Sequence, residues 1–533
     1  MKKLKLVCVA IAMACATPTL AGGLLTNTNQ HVAFDRMMSR EASIGIDGVY
    51  YNPAGVVFMS EGHHLAINWQ LAFQTRTINN DYALFTNNVN NPITPRDFKG
   101  TAFAPVIPSF QYAYNKGKWS FQASFALTGG GGKCTFDDGL GSFEKIVAET
   151  AIAACQLAGA VDQVAGAYGV PAIFSSNQVF GTEGKYSYNS YMHGRQYYYG
   201  LSAGAAYKFC DNFSAFLGVR GVYALTNYYG YVENINVGNM PLYKVLDPTK
   251  ESSANIELSC DQSGVGFTPI IGVDYKTGRW NFSAKYEFKT RIRLKNKSVN
   301  QTPSIGNLPA NLANQMTGIL TAKYQQAGLP LEQAKQQAEN TTNAVLNDPT
   351  VGATMMGLKT QFDQKLNKAI GEYEDGKKIA GDIPAYLALG VGYSPVDAVR
   401  VNAGFHWFDD KNATSYNNRN KELKRGTLEY NAGVEVDVNK KITLSTGWQN
   451  TNYGLSDEYM DDKSFVVSSN SVAIGGVYHI NKKMDLNVAY FHTFYQHKKT
   501  TEKVQLTADR SLNYSSDYTR NNNVFAVGLD INF

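Results

Sequence analysis

The carboxyl terminus of the chain carries the pattern that most restricts its fold. From Asn523 to Phe533 the sequence NVFAVGLDINF alternates apolar residues with small or polar ones. Successive side chains of a strand point to opposite faces, so Val527, Ile531 and Phe533 share one face of this segment. A soluble protein gains little from ending on an exposed phenylalanine, whereas the last strand of an outer-membrane barrel closes the barrel and places its aromatic end in the interfacial girdle. We therefore expect Phe533 to act as a membrane insertion signal, read by the barrel assembly machinery.

The amino terminus agrees with export from the cytoplasm. Residues 1–21 combine three lysines, an apolar core and the small residues Thr19-Leu20-Ala21, which is the pattern of a secretory signal peptide. After this segment no run approaches the roughly 18 apolar residues that a membrane helix needs. Exported chains of this kind are periplasmic, secreted or barrels of the outer membrane.

Composition favours the barrel among these three classes. Aromatic residues make up 12% of the chain and glycines number 48, yet the mean hydropathy is only -0.28. A membrane barrel has this balance because only every second strand residue faces lipid. The formal charge of +5 falls to +2 without the three signal lysines (5 − 3), so the charge does not support nucleic-acid binding.

Strand-like segments recur along the chain with two kinds of connection. Six connections are tight turns rich in Asn, Asp, Gly or Pro, which suit hairpins, and the other seven are longer. Short turns at one end, long loops at the other and an even strand number are typical of bacterial outer-membrane barrels. The sequence therefore predicts an all-β fold, an antiparallel transmembrane β-barrel of about fourteen strands. The fourteen candidate strands are 62–75, 103–114, 118–128, 195–209, 213–231, 254–275, 279–295, 383–393, 399–408, 425–438, 442–451, 465–479, 484–496 and 520–533.

One candidate strand separates its two faces sharply. Tyr286, Phe288, Ile292 and Leu294 form an apolar face, and the opposite face carries Lys285, Glu287, Lys289, Arg291 and Arg293. Lipid would reject such charges at roughly 2–4 kcal/mol each near the midplane, so we expect the charged row to face a water-filled lumen. Lys289, Arg291 and Arg293 could there bind a ligand carboxylate by charge-assisted hydrogen bonds, and the alternative is an ordinary solvated wall.

Two connections are too long for plain loops. Residues 129–194 contain a helical stretch at 143–161, and residues 296–382 contain helical segments near 309–328, 331–346 and 355–375. Structureless insertions of this length are uncommon unless they are functional. We expect helical caps over the extracellular mouth, with surface decoration as the alternative.

Residues 22–60 precede the first strand and are not strand-like. Within them Asp47 is followed by Tyr50-Tyr51 and then by Asn52-Pro53-Ala54-Gly55. An aspartate, aromatics and Asn-Pro-Ala-Gly just after a signal peptide resemble the amino-terminal hatch of the FadL family of long-chain fatty acid transporters. The resemblance divides the chain into a signal peptide at 1–21, a hatch at 22–60 inside the barrel and a barrel at 61–533. The chain departs from the family pattern before Asp47, where charged residues between Arg36 and Glu41 replace a glycine-rich stretch.

The resemblance implies passive transport of a hydrophobic small molecule, such as a long-chain fatty acid, with no cofactor and no metal. It also implies sideways exit into outer-membrane lipid through a kinked third strand. Here the third candidate strand ends in Gly129, Gly130, Gly131 and Gly132, which weaken strand pairing and are the candidate lateral gate. The alternative is the start of a flexible loop. Leu24 and Leu25 are candidate ligand contacts, because an apolar chain end inside a barrel has few other partners.

Other sequence features leave alternatives open. Four cysteines remain after the signal peptide, and Cys134 and Cys155 could form a disulfide or stay as free thiols. The chain could also be a porin-like or adhesin-like barrel whose loops bind external partners. A lipid-acting barrel enzyme is a third reading, although no catalytic spacing stands out and we expect no enzyme activity.

Overall fold

The computed structural model describes residues 24–303, 307–506 and 510–533. The predicted signal peptide lies outside these residues. Fourteen strands form the barrel, when the three strands interrupted by a short break are each counted once and the two-residue strand Met240–Pro241, which lies in a connection, is left out. They are β1 (Gly62–Tyr82), β2 (Arg96–Lys116), β3 (Trp119–Phe136), β4 (Tyr186–Cys210), β5 (Phe213–Val237), β6 (Ile256–Thr277), β7 (Trp280–Glu287 and Arg293–Gln301), β8 (Lys378–Ala380 and Tyr386–Val396), β9 (Val399–Phe408), β10 (Thr427–Asn439), β11 (Ile442–Asn452), β12 (Ser469–Asn481), β13 (Met484–Tyr495 and Lys498–Gln505) and β14 (Ser511–Asn532).

The sheet closes on itself, which confirms the predicted barrel. Each strand pairs antiparallel with its neighbours, and β14 pairs with β1 from His64↔Asn532 to Tyr82↔Tyr514. Closure leaves the sheet without a free edge strand, which is the condition for a sheet to lie in lipid. Tight turns join β2 to β3, β4 to β5, β6 to β7, β8 to β9, β10 to β11 and β12 to β13 at the end of the barrel that carries both termini.

The outer and inner faces of the wall differ as a membrane barrel requires. Large apolar side chains such as Trp69, Phe73 and Phe267 are exposed on the outside, while inward neighbours such as Asn68 and Gln70 are buried. Polar side chains are thus kept from lipid and bond inside the lumen. In the described part of the chain, no helix has the length and apolar character needed to cross a membrane.

Helices lie inside the barrel and in the connections opposite the termini. The helix Gly141–Ala167 packs Phe143, Val147 and Val161 into one apolar cluster with Tyr82 and Met316, and this cap cluster covers the end of the barrel. The helices are α1 (Val32–Met37), α2 (Gly48–Tyr51), α3 (Gly141–Ala167), α4 (Tyr243–Leu246), α5 (Leu308–Gln326), α6 (Leu331–Leu346) and α7 (Pro349–Ile370). Short 3₁₀ turns span Gly55–Phe58, Ala83–Asn87, Glu251–Ala254, Gly371–Tyr373, Asp410–Asn412 and Tyr416–Glu422.

The predicted bounds of the two insertions were wrong, because several strands run further than their apolar alternation. β3 continues through the glycines to Phe136 and β4 begins at Tyr186, so the first insertion covers 137–185 rather than 129–194. β7 ends at Gln301 and β8 begins at Lys378, so the second covers 302–377 rather than 296–382. Glycine has no side chain and polar strand ends lack alternation, so neither extension shows in the sequence pattern.

A break in β7 corrects the orientation predicted for the basic row. Residues 288–292 leave the regular ladder, with only an isolated bridge from Thr290 to Ile383. Odd-numbered Glu287 is buried before the break, whereas even-numbered Ile292 and Leu294 are buried after it. Because a one-residue slip exchanges the two faces of a strand, the inward orientation predicted for Arg291 and Arg293 was wrong. The apolar outward face predicted for Ile292 and Leu294 was wrong for the same reason.

Candidate transport site

Residues 24–60, here called the inner segment, fill the lumen of the barrel. The segment contains α1, α2 and the 3₁₀ turn Gly55–Phe58, joined by irregular chain. Side chains such as Phe34 and Tyr51 are almost completely buried, and their rings stack with centroids 5.4 Å apart. Backbone groups that no regular structure satisfies bond instead to polar side chains from the barrel wall.

The hatch motif residues connect the inner segment to itself and to the wall. Asp47 binds Arg40, with 2.7 Å between Oδ2 and Nε. Asn52 accepts from the Gly55 backbone amide at 3.1 Å and donates to Asp274 of β6 at 2.5 Å. The Pro53 carbonyl accepts from Gln122 of β3, and the Ala54 carbonyl accepts from Ser214 of β5, both at 2.7 Å. The motif therefore lies where the inner segment spans the lumen from β3 to β6.

Charged residues attach one side of the inner segment to β10. Glu435 accepts from Arg36 at 2.7 Å and from Arg40 at 2.5 Å, one arginine on each carboxylate oxygen. Arg36 also donates to Asn487 of β13 at 3.2 Å. These side chains are at most 8% exposed, so water hardly screens the pairs.

Two further buried charge groups lie on the same side. His406 of β9 contacts Glu41 of the inner segment at 2.7 Å through Nε2 and Glu429 of β10 at 2.8 Å through Nδ1. Lys285 of β7 donates to the Tyr50 carbonyl at 2.6 Å and pairs with Glu287, which also binds Arg220. The inward placement expected of Lys285 and Glu287 is thus observed.

The opposite side of the inner segment uses uncharged groups. Asn29 and Gln70 of β1 exchange two hydrogen bonds, at 2.7 and 2.8 Å. The Gln30 carbonyl accepts from Ser109 and Gln111 of β2. Asn27 bonds to the backbone of β3. Its backbone amide donates to the Thr128 carbonyl at 2.9 Å, and its side-chain amide donates to the Gly130 carbonyl at 2.7 Å.

The four glycines predicted as a gate lie within β3, at a local break in the wall. The β3–β4 ladder shifts register at 127–129 and again at 130–132, and Gly130 and Gly131 have φ of +71° and +131°. Such φ values disfavour any residue with a Cβ, so glycine is required there.

On the other side of β3, its pairing with β2 stops after Phe103↔Lys133 and resumes only at Phe110↔Phe125. Residues 104–109 of β2 and 126–132 of β3 thus face each other without ladder hydrogen bonds.

The other candidate residues have the following positions. Leu24 is half-buried and its amide donates to Asp410 at 3.3 Å; Leu25 is half-buried beside Tyr198 and Ile292. Lys289 lies at the β7 break, where its Nζ donates to the Asn412 carbonyl at 3.1 Å. Arg291 is exposed, and Arg293 pairs with Asp382 at 2.9 Å. Phe533 is exposed, and its backbone amide donates to the His63 carbonyl.

Titration of the inner segment and its loops follows burial. Burial raises the pKa of Asp47, but the Arg40 guanidinium more than offsets that effect and holds the pKa below its usual value. Asp35 has no such partner among the described residues, and burial raises its pKa well above the usual value. Burial also raises the pKa of Asp410 to about 6, although backbone amides of Leu24 and Thr427 donate to its carboxylate.

Cysteine and metal chemistry add no further group to this site. Cys134, Cys155, Cys210 and Cys260 are all free thiols, so the possible bond between the first two is not formed. Within residues 24–303, 307–506 and 510–533, no group of three or more His, Cys, Asp or Glu side chains is placed to hold a metal ion.

Sequence reasoning missed most of the residues that hold the inner segment. Glu435, His406 and Glu429 are single charges on strands and have no local motif. The available signal was the charged run from Arg36 to Glu41 at the place where the family pattern has glycine. Buried charges of the segment require opposite charges on the wall.

Comparisons with known proteins address the fold. No protein-family model matches the chain, and no curated protein sequence matches it. A Pseudomonas aeruginosa FadL homologue superposes with a TM-score of 0.58 at 13% identity, over 96% of this chain and 100% of that chain. The deltaS2S3 mutant of the monoaromatic hydrocarbon channel TodX gives 0.50 at 13% identity, over 94% and 99%. The Ralstonia pickettii toluene transporter TbuX gives 0.45 at 13% identity, over 92% and 94%.

The FadL homologue and the TodX mutant share the closed barrel of this chain, at a sequence identity that establishes the fold alone. The likeness inferred from the segment around Asn52-Pro53-Ala54-Gly55 is thus confirmed at the level of architecture. The chain is a fourteen-stranded antiparallel β-barrel with the fold of the FadL homologue.

Proposed function

We propose that the protein carries hydrophobic compounds into the outer membrane by passive diffusion, with the inner segment acting as a hatch. Long-chain fatty acids are the substrates that the family resemblance implies. The neighbours with this fold are described as a FadL homologue and a monoaromatic hydrocarbon channel, which supports a hydrophobic cargo. No enzyme activity is expected.

The break between β2 and β3 is the observation that carries the proposal. Pro105 and Pro108 lie in the unpaired stretch of β2 and lack the amide that a ladder needs, so pairing is disfavoured from this side as well. Ala104, Ile107 and Leu127 from the two strands belong to one apolar cluster with residues of the inner segment. The unpaired stretch therefore adjoins an apolar surface inside the barrel.

This arrangement suits an apolar molecule that leaves sideways. The inner segment obstructs the axis of the barrel, so a ligand cannot simply diffuse through to the periplasmic end. A chain that passes from the lumen through the break between β2 and β3 would stay in apolar surroundings, worth about 0.8 kcal/mol per CH₂. The glycines at 129–132 act in this proposal as the lateral gate.

Apolar side chains at the other end of the barrel offer such a molecule a first contact. A space of about 30 Å³ lies between α3 and the ends of β5 and β6. Phe143, Ile146 and Val232 line it together with Ile256. The space itself has about the volume of one water molecule, so it is a gap in the apolar cap and not a binding site for an acyl chain.

Uptake by liposomes tests the transport proposal. Wild-type protein should give saturable uptake of labelled oleate with little conductance for small sugars. The double variant Gly130→Val and Gly131→Val excludes the positive φ values, straightens β3 and should lower oleate uptake at least tenfold. Gly221→Val is the matched control, because a side chain there meets only ordinary contacts at 3.7 Å or more.

Three outcomes would contradict the proposal. Sugar conductance without saturable oleate uptake would indicate a porin instead. Release of free acid from phospholipid would indicate an enzyme. Equal oleate uptake by the wild type and the double glycine variant would exclude exit through the break.

A further inference from the structure

The outer half of β7 carries positive charges on the outside of the barrel wall. After the break, Arg291, Arg293, Lys295 and Lys297 alternate with residues that are buried, and all four are exposed. Lys378 of β8 is the register partner of Lys295 and is exposed as well. These five residues, here called the basic strip, therefore share one outward face of the wall.

The outward face of β6 shows where the strip lies relative to lipid. From Tyr275, near the turn, to Val265, every outward side chain of β6 is apolar and exposed. The ten steps between these two residues rise about 33 Å along the strand, or about 25 Å along the membrane normal at the usual tilt, which is the height of the apolar band. Ser263 is the next outward residue and is the register partner of Lys295. The strip thus begins at the upper border of the lipid band and continues at the level of the head groups.

Positive charge in the strip exceeds the negative charge around it. Lys295 and Lys378 lie directly opposite each other with Cα atoms about 5 Å apart, and like charges in this position repel. Arg293 pairs with Asp382 at 2.9 Å. The other four members of the strip form no ion pair with a described residue, although Asp261 lies on the neighbouring strand. An anion placed between the two opposed lysines would turn their repulsion into attraction.

Apolar side chains continue directly below the strip. Val265 and Phe267 on the outside of β6 are 63% and 70% exposed. A molecule meets both surfaces at once only if it combines an anionic head group with acyl chains. From Arg291 to Lys297 the strip extends about 20 Å along the strand, which is more than a single phosphate group can contact. A lipid with two phosphate groups therefore fits the strip better than a lipid with one.

We propose that the basic strip binds an anionic lipid of the outer leaflet that carries two phosphate groups, as lipid A does. Lys295 and Lys378 hold one phosphate between them by charge-assisted hydrogen bonds. The acyl chains of the lipid lie below, along Val265 and Phe267. This inference rests on the membrane position that the proposed function assumes. It goes beyond that function, because the strip is on the outer face of the wall and passage through the lumen does not require it.

Binding of fluorescent lipid A to the purified protein in a nonionic detergent, measured by anisotropy, tests the strip. The triple variant Lys295→Gln, Lys297→Gln and Lys378→Gln should weaken binding at least tenfold, because each positive charge near a lipid surface adds to the attraction. Monophosphoryl lipid A should bind the wild type at least threefold more weakly than lipid A does. The matched control loses the same number of charges from exposed turns at the opposite end of the barrel and should change binding less than twofold. It carries Lys440→Gln, Lys441→Gln and Lys482→Gln.

Salt provides a second measurement that needs no variant. Raising the NaCl concentration from about 0.1 M to about 1 M shortens the Debye length about threefold, and binding of lipid A to the wild type should weaken at least tenfold. The site would be overturned by equal binding to the two triple variants or by binding that salt does not change. Equal affinity for lipid A and its monophosphoryl form, or full displacement of lipid A by millimolar inorganic phosphate, would also overturn it.

Oleate uptake by liposomes separates this inference from the transport function. The triple variant at positions 295, 297 and 378 should carry oleate as fast as the wild type does. If the wild type carries oleate but does not bind lipid A, only this inference fails. If the wild type binds lipid A through the strip but carries no oleate, only the transport function fails.

Discussion

The inner segment contacts the two halves of the barrel wall by different chemistry. Towards β7, β9 and β10 its contacts include buried charges on both sides, such as Arg36 with Glu435 and Glu41 with His406. Towards β1, β2 and β3 the contacts are amide and backbone hydrogen bonds, such as Asn29 with Gln70. The break in the wall lies on the uncharged half.

The difference separates anchoring from mobility. Removing one partner of a buried ion pair costs about 3–5 kcal/mol, because the other charge stays buried. Losing an amide hydrogen bond costs about 1–3 kcal/mol. We therefore expect the segment to stay attached to the charged half when it yields to a ligand, and to separate first from the half beside the break.

The largest effect is expected from Glu435→Gln. The neutral side chain leaves Arg36 and Arg40 buried without their shared carboxylate, so the free energy of unfolding should fall by about 3–5 kcal/mol. Denaturant titration in detergent measures the loss, and single-channel recording should show increased conductance as the segment loosens. Asp437→Asn is the control, since its partner Arg400 is about one-third exposed and such a pair contributes at most about 1 kcal/mol. Equal losses in the two variants would remove the distinction between the halves.

A pH effect is expected next, at the end of the inner segment. Asp410 accepts from the Leu24 amide, and burial raises its pKa from 3.8 to about 6. The folded protein therefore binds this proton more tightly than the unfolded chain does. As the pH rises from about 4 to about 6, the free energy of unfolding falls, and above that range the loss stays constant. The difference in pKa corresponds to about 3 kcal/mol. Asp410→Asn should remove this slope from denaturant titrations at pH 4, 5, 6 and 7, and an unchanged slope would place its origin elsewhere.

Sequence patterns predicted the barrel well, because strand alternation and turn residues are local. The same reasoning failed at Arg291 and Arg293, since a slip in β7 depends on how β6 and β8 pair and leaves no local mark. The partners of the inner segment were also out of reach. Glu41 and His406 are 365 positions apart, and no single sequence records such pairing. The charged run at 36–41 indicated only that opposite charges had to exist.

Close approach on the charged half gives a third prediction. Gly447 of β11 faces the inner segment, and a Cβ there would collide with the Met37 backbone. Gly447→Val should displace the segment and destabilise the protein by about 1–3 kcal/mol, as overpacking does. Gly221→Val, where nothing lies closer than 3.7 Å, should cost less than about 0.5 kcal/mol. If the two variants unfold at the same denaturant concentration, the segment does not lie against β11 in solution.

The smallest effect on stability is expected on the uncharged half, from Gln70→Leu. The change removes both hydrogen bonds to Asn29, and leucine fills a similar volume, so the cost should be about 1–2 kcal/mol. The functional effect should nevertheless exceed that of Gly447→Val, because the loosened end lies beside the break. We expect faster oleate uptake by liposomes without higher conductance for sugars, since the charged half still retains the segment.

Ser445→Ala is the matched comparison on the charged half. It removes the hydroxyl that accepts one hydrogen bond from Arg36, and it should leave oleate uptake unchanged. Faster uptake in Ser445→Ala than in Gln70→Leu would mean that the segment yields on its charged side, the reverse of the proposed motion.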